Sequence, residues 1–125
     1  MEGEMARILV VEDEKLINIM FREALEHEGY EMEAAYDGQE GVDKHRKHHF
    51  DLIIADIMMP RTDGIQMINE LRERFPDVKI LVVTAISLSG PHYQEMKKKL
   101  EGIPILQKPV TRDILTSKVR AMLEE

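Results

Sequence analysis

Four short runs rich in Val, Ile and Leu punctuate the chain, at Ile8–Val11, Leu52–Ala55, Ile80–Val83 and Ile103–Leu106. Between them, apolar residues recur at helical spacing. The first such segment carries Leu16, Ile17, Met20, Phe21, Ala24 and Leu25, which predicts a helix with one apolar stripe. Gly29 lies just beyond it as a stop. A later helix opens near Asp63, runs through Ile65, Met67, Ile68 and Leu71, and ends before Pro76. The last starts at Thr111 as N-cap and carries Ile114, Leu115, Val119, Met122 and Leu123. Tyr30–Ala35 alternates instead, with Tyr30, Met32 and Ala34 set against Glu31, Glu33 and Ala35, as in an edge strand. Strand and helix thus alternate five times, the pattern of a parallel sheet covered on both faces.

The runs also suggest an order. Leu52–Ala55 and Ile80–Val83 are apolar throughout, as central parallel strands are. Pro104 removes a ladder donor from the fifth run and marks it as the other edge. The predicted fold is α/β: a doubly wound, flavodoxin-like, five-stranded parallel sheet of order 2-1-3-4-5 with five helices. No linker or repeat is visible and the chain ends with its fifth helix, so residues 1–125 are expected to form a single domain. The second helix is the weakest. Asp37-Gly38 supplies its start, but its inward positions are Val42, His45 and His49 with Gly41 beside them. His45, His48 and His49 are spaced as metal ligands can be, yet they read better as a polar, frayed helix end.

Composition narrows the function. The 125 residues carry a net charge of −7, the wrong sign for a nucleic-acid-binding protein. With no cysteine there are no disulfides, thiolate metal sites or thiol catalysis. No apolar stretch approaches the roughly 20 residues of a membrane span. Met1–Ala6 carries two glutamates and does not read as a signal peptide. A small cytoplasmic domain with no direct nucleic-acid or membrane contact is expected.

In a sheet of this order, ligands bind at the carboxyl ends of the strands near the switch between strands one and three. Glu12 and Asp13 follow strand one, and Asp56 follows strand three. One such acid is most simply a solvated loop residue. Three at the switch point repel one another and call for a cation. Oxygen donors without His or Cys favour Mg²⁺. Strand four ends at Thr84 and strand five is followed by Lys108-Pro109. A carboxylate nucleophile, a divalent metal, a hydroxyl and an ammonium are the parts that phosphoryl transfer needs.

The segments Ile8-Leu9-Val10-Val11-Glu12-Asp13-Glu14, Asp56 through Gly64, Thr84-Ala85 and Lys108-Pro109 resemble the receiver domain of bacterial two-component response regulators, similar to the stand-alone chemotaxis-type receivers. The resemblance covers essentially the whole chain. It implies that Asp56 is the phosphoacceptor, that Lys108 pairs with the phosphoryl group, and that Thr84 hydrogen-bonds it in the active state. It implies Mg²⁺ held by Glu12, Asp13, Asp56 and the backbone carbonyl of Met58, and a cis bond between Lys108 and Pro109. The implied partners are a sensor histidine kinase or histidine phosphotransfer protein and a downstream protein target, met through helix four, strand five and helix five. Such a domain is not an enzyme beyond assisting its own phosphorylation and dephosphorylation. A weak homodimer is left open.

Two features depart from that pattern. Ile105 stands on strand five where the family often has an aromatic, and an aliphatic cannot make the same exposed-to-buried swing. Ser87-Leu88-Ser89-Gly90-Pro91 replaces the usual start of helix four, which should begin late, near Pro91 or His92. Its stripe Tyr93, Met96 and Leu100 stands opposite Lys97-Lys98-Lys99, a solvated face. The competing readings are a pseudo-receiver acting as a phosphorylation-independent interaction module, and a phosphatase on the same fold. The first has no physical need of converging carboxylates, and the second lacks a further acid–base residue.

Overall fold

The computed structural model describes residues 5–59 and 64–125. Its elements are β1 (Arg7–Val11), α1 (Lys15–Glu26), β2 (Glu31–Ala35), α2 (Gly38–Lys47), β3 (Leu52–Ala55), α3 (Gly64–Arg74), β4 (Ile80–Thr84), α4 (Pro91–Met96), β5 (Ile105–Gln107) and α5 (Arg112–Leu123). All strand pairs are parallel, in the order β2-β1-β3-β4-β5. Fold class and strand order are those the apolar pattern predicts. β5 is shorter than the run Ile103–Leu106 and begins after Pro104, whose carbonyl still accepts from Val82 N–H at 3.0 Å.

Side chains alternate across the sheet with period two, so it separates two cores. Ile8, Val10, Leu52, Ile54, Leu81 and Val83 pack with Leu25 of α1 and with Leu115, Val119 and Met122 of α5. Leu9, Val11, Ile53, Ala55 and Val82 face the other way. They meet Val42 of α2, Ile65, Met67, Ile68 and Leu71 of α3, and the half-buried Tyr93 and Met96 of α4. The central strands are buried on both faces, which is why β3 and β4 read as unbroken apolar runs.

The capping residues act as expected at three ends. Asp37 accepts from Glu40 N–H at 2.8 Å, Thr111 accepts from Ile114 N–H at 3.1 Å, and Gly29 turns the chain after α1 with φ +99°. α4 begins at Pro91 and is six residues long, with none of them buried. Asp63, expected to open the third helix, lies outside the described residues, as do Pro60, Arg61 and Thr62.

Two helices differ from the sequence reading. On α1 the apolar stripe is only half inward: Leu16 is 76% exposed and Met20 63% exposed, while Asn18 is wholly buried. On α2 the end is polar and exposed from Arg46 to His49, as expected, but His45 is part of the core. His45 is buried, its Nδ1 accepts from Phe50 N–H at 3.1 Å, and its ring lies edge-on to Phe75 at 4.7 Å. α2 stops at Lys47, and His48 is already extended, so the spacing that suggested a metal site is not helical at its far end. Among the described residues, no such three-ligand group exists. Gly41 costs helix propensity but lets α2 approach closely: a Cβ there would lie 3.0 Å from Val11 Cγ2 and 3.1 Å from Met67 Sδ.

Candidate functional site

Strand register brings the chemistry-bearing residues to one end of the sheet. Val11 is paired with Ala55, so Glu12 and Asp56 leave their strands side by side. Asp56 N–H donates to Val11 O at 3.1 Å and Glu12 N–H to Ala35 O at 3.0 Å. Thr84 is paired with Gln107, and Lys108 N–H donates to Thr84 O at 2.7 Å, which turns the Lys108 side chain toward β3 and β1. The Lys108–Pro109 bond is cis.

Lys108 Nζ lies 2.7 Å from Glu12 Oε1 and 3.0 Å from Asp56 Oδ2. Glu12 is 2% exposed and Asp56 6% exposed. The remaining carboxylate oxygens also have donors: Glu14 N–H reaches Glu12 Oε2 at 3.0 Å, and Met58 N–H reaches Asp56 Oδ1 at 2.9 Å. Burial pushes the Glu12 carboxyl above its usual range; hydrogen bonds from Lys108 and Glu14 pull against it without cancelling it. Burial alone would lower the Lys108 ammonium, but its bonds to the two carboxylates hold it above the usual lysine range. Lys108 therefore stays charged and is the internal counter-cation of a pair of buried acids.

Glu12, Asp56 and Lys108 are in contact. Asp13 is half-buried and takes no part in the two Lys108 contacts. Thr84 is wholly buried at the end of β4, and its Oγ1 accepts from Ile86 N–H at 3.3 Å. Met58, whose backbone N–H holds Asp56, has an exposed side chain. The donor set fits a hard divalent ion. Carboxylates and a backbone carbonyl are the oxygen ligands Mg²⁺ takes, and it keeps several waters instead of demanding a full protein cage. Among the described residues no three His, Cys, Asp or Glu side chains gather as a metal cluster, so Glu12, Asp13 and Asp56 do not converge as closely as the strand-end positions predict.

Gly64 explains how Asp56 is held. A Cβ at this position would lie 2.5 Å from Ile57 Cα and 2.8 Å from Asp56 O, so only glycine lets the start of α3 rest on the Asp56–Ile57 backbone. Asn18 was not singled out by the sequence reading. Its only signal there is an amide among apolar neighbours in a helix interior, where Asn is a poor former. A cavity of about 700 Å³, lined by Met5, Phe50, Asp51, Asp77 and Lys79 among others, opens at the opposite end of the sheet and belongs to no reactive group.

A family model described as a response regulator receiver domain matches residues 8–120. The response regulator ArlR of Staphylococcus aureus is 32% identical over 124 residues, covering 95% of this chain and 53% of that protein. The chain thus spans about half the length of the curated relatives it matches. Among solved structures, a CheY-like receiver domain from Methanospirillum hungatei superposes with a TM-score of 0.87 at 27% identity, covering 97% of this chain and 95% of the other. The chemotaxis protein CheY4 of Vibrio cholerae gives 0.85 at 30% identity, with 95% and 99% covered. The response regulator TrrA of Thermotoga maritima, solved in complex with Mg²⁺ and BeF, gives 0.84 at 35% identity, with 94% and 99% covered.

Proposed function

The chain belongs to the response regulator receiver family, and from that premise we propose that Asp56 takes a phosphoryl group from a histidine-phosphorylated protein in the cytoplasm, with residues 1–125 acting as one receiver unit. The observation that carries this reading is the Glu12–Lys108–Asp56 contact at the carboxyl end of the sheet. In the transfer, an Asp56 carboxylate oxygen forms the new bond to phosphorus as the bond from phosphorus to the donor imidazole breaks. Met58 N–H holds one Asp56 oxygen and Lys108 the other, which fixes the carboxylate plane for attack. Lys108 then has a phosphoryl oxygen to pair with in place of Asp56 Oδ2. Glu12, Asp13, Asp56 and the Met58 carbonyl would hold Mg²⁺, which supplies charge neutralisation at the phosphoryl oxygens.

Thr84 is the group that converts phosphorylation into a change of shape. Its hydroxyl accepts from Ile86 N–H before transfer and gains an acceptor on Asp56 afterward, so the loop after β4 has different contacts in the two states. The output surface is α4, β5 and α5, where Leu106, Ile114 and Ala121 line a shallow groove. Leu16 and Ile114, in the first turns of α1 and α5, and Met58 after β3 are all exposed, and offer apolar contacts to a protein donor approaching Asp56.

Incubating the protein with Mg²⁺ and a small phosphodonor should add about 80 Da, the mass of one phosphoryl group. Asp56→Asn and Asp13→Ala should each abolish the adduct while circular dichroism stays unchanged. An adduct that persists in Asp56→Asn would sink the assignment.

A further inference from the structure

We propose that Asn18 is the positioning residue of the acidic loop, holding the backbone from which Glu12 and Asp13 reach the site. Asn18 is wholly buried on α1. Its Nδ2 donates to three carbonyls: Glu12 O at 3.0 Å, Val10 O at 3.2 Å and Ala35 O at 3.2 Å. Two hydrogens serve three acceptors, so at least one bond is shared. Those carbonyls come from the end of β1, the end of β2 and the acidic residue itself. The backbone N–H of Asn18 donates to Glu14 O at 3.0 Å, the first i→i−4 bond of α1, so the side chain alone carries the clamp.

The amide can face only one way. A reversed amide would aim Oδ1 at three carbonyl oxygens, and Arg22 Nε donates to Oδ1 at 2.8 Å, which settles the orientation. α1 has no side-chain cap of its own at Glu14 and no acid in its first turn. The clamp therefore comes from inside the helix, one turn beyond the loop. Deleting it leaves the Glu12 carbonyl without that donor and frees the chain to rotate about Glu12 and Asp13. The Lys108–Asp56 contact, carried by β3 and β5, would stay in place. A ligand set displaced in this way loses affinity for its ion even where the fold survives.

The proposal rests on the reading of Glu12 and Asp13 as Mg²⁺ ligands, and the test separates the two. Mg²⁺ is titrated calorimetrically into the whole chain and its Asp13→Asn, Asn18→Ala, Arg22→Ala, Arg22→Lys and Leu71→Ala variants, with urea unfolding measured alongside. Asn18→Ala should bind Mg²⁺ about 10- to 100-fold more weakly, the usual effect of removing an outer support of a ligand set. Arg22→Ala should show a smaller loss that Arg22→Lys restores. Leu71→Ala, destabilised in the core on the other sheet face, should keep wild-type affinity. Amide shifts of Asp13 and Glu14 should move in Asn18→Ala before any Mg²⁺ is added. Wild-type affinity in Asn18→Ala would overturn the proposal, as would an equal loss in Leu71→Ala. Should Asn18→Ala fail to fold, unchanged affinity in Arg22→Ala would overturn it. If the wild type binds no Mg²⁺, or Asp13→Asn binds as well as wild type, the ligand reading itself falls and takes the proposal with it.

Discussion

A single missing methyl group sets the geometry at Asp56. Because a Cβ at Gly64 would meet backbone at 2.5 Å, no side-chain motion can relieve it. Gly64→Ala should cost about 2–3 kcal/mol in urea unfolding, within the range of overpacked cores, and should slow phosphorylation as well. A variant that unfolds like wild type would show that α3 can shift freely. Two other side chains should set the lifetime of a phosphorylated form. Met58 and Ile86 stand two residues beyond Asp56 and Thr84, and neither can orient a water for in-line attack. Met58→Asn and Ile86→Glu should each speed loss of the phosphoryl group, by roughly tenfold for about 1–2 kcal/mol of barrier. Decay unchanged in both would refute water access as the control. Asp56, Lys108 and Thr84 were legible in the sequence because strand ends converge at a known place in a doubly wound sheet. Asn18 was not, because periodicity scores an amide as a break in the stripe; its three acceptors are visible only once β2 lies beside β1.

At the scale of elements, α1 and α2 were the ones misread, and for related reasons. Apolar spacing locates a helix but not the width of the face its sheet covers, so Leu16 and Met20 stay in water. On α2 the sequence offered histidines where a core was needed. The structure uses one: His45 stacks on His49 at 4.9 Å and meets Phe75 edge-on. Burial, and then the neighbouring His49, hold the His45 imidazole below its ordinary value of 6.5. Its neutral form is also the only one compatible with Nδ1 accepting from Phe50 N–H. His49, Arg7 over the Phe50 ring, and Arg74 and Asp77 in the same groove are the charged or titratable groups around the cluster. The folded state binds this proton less readily than the unfolded chain. Stability is therefore full above pH 6.5 and falls as the pH drops through 6.5 toward the lower folded value. His45→Leu should flatten that fall in urea midpoints taken between pH 7.5 and 5. An equal slope in the variant would place the acid sensitivity elsewhere.

For the whole molecule the governing fact is that two cores share one sheet. Ile68 belongs to the α2–α3–α4 side and Met122 to the α1–α5 side. Ile68→Val should cost about 0.5–1.5 kcal/mol and Met122→Ala about 2–5 kcal/mol. Without shared partners, the double variant should lose their sum to within about 0.5 kcal/mol. A coupling above about 1 kcal/mol would mean that strain crosses the sheet.

That partition bears on how such a gene can diverge. After a duplication, each copy inherits two faces whose interior mutations do not compound one another. One copy can redraft the α1–α5 side, where Leu16 and Ile114 are exposed, while its α2–α3–α4 side drifts at its own pace or stays still. What neither copy can revise alone is the line where the two faces meet. Glu12, Asp56 and Lys108 sit on that line, at the ends of β1, β3 and β5, and Lys108 ties both acids across strands far apart in the chain. Paralogues descended from this protein should therefore differ in their flanks long before they differ at that seam.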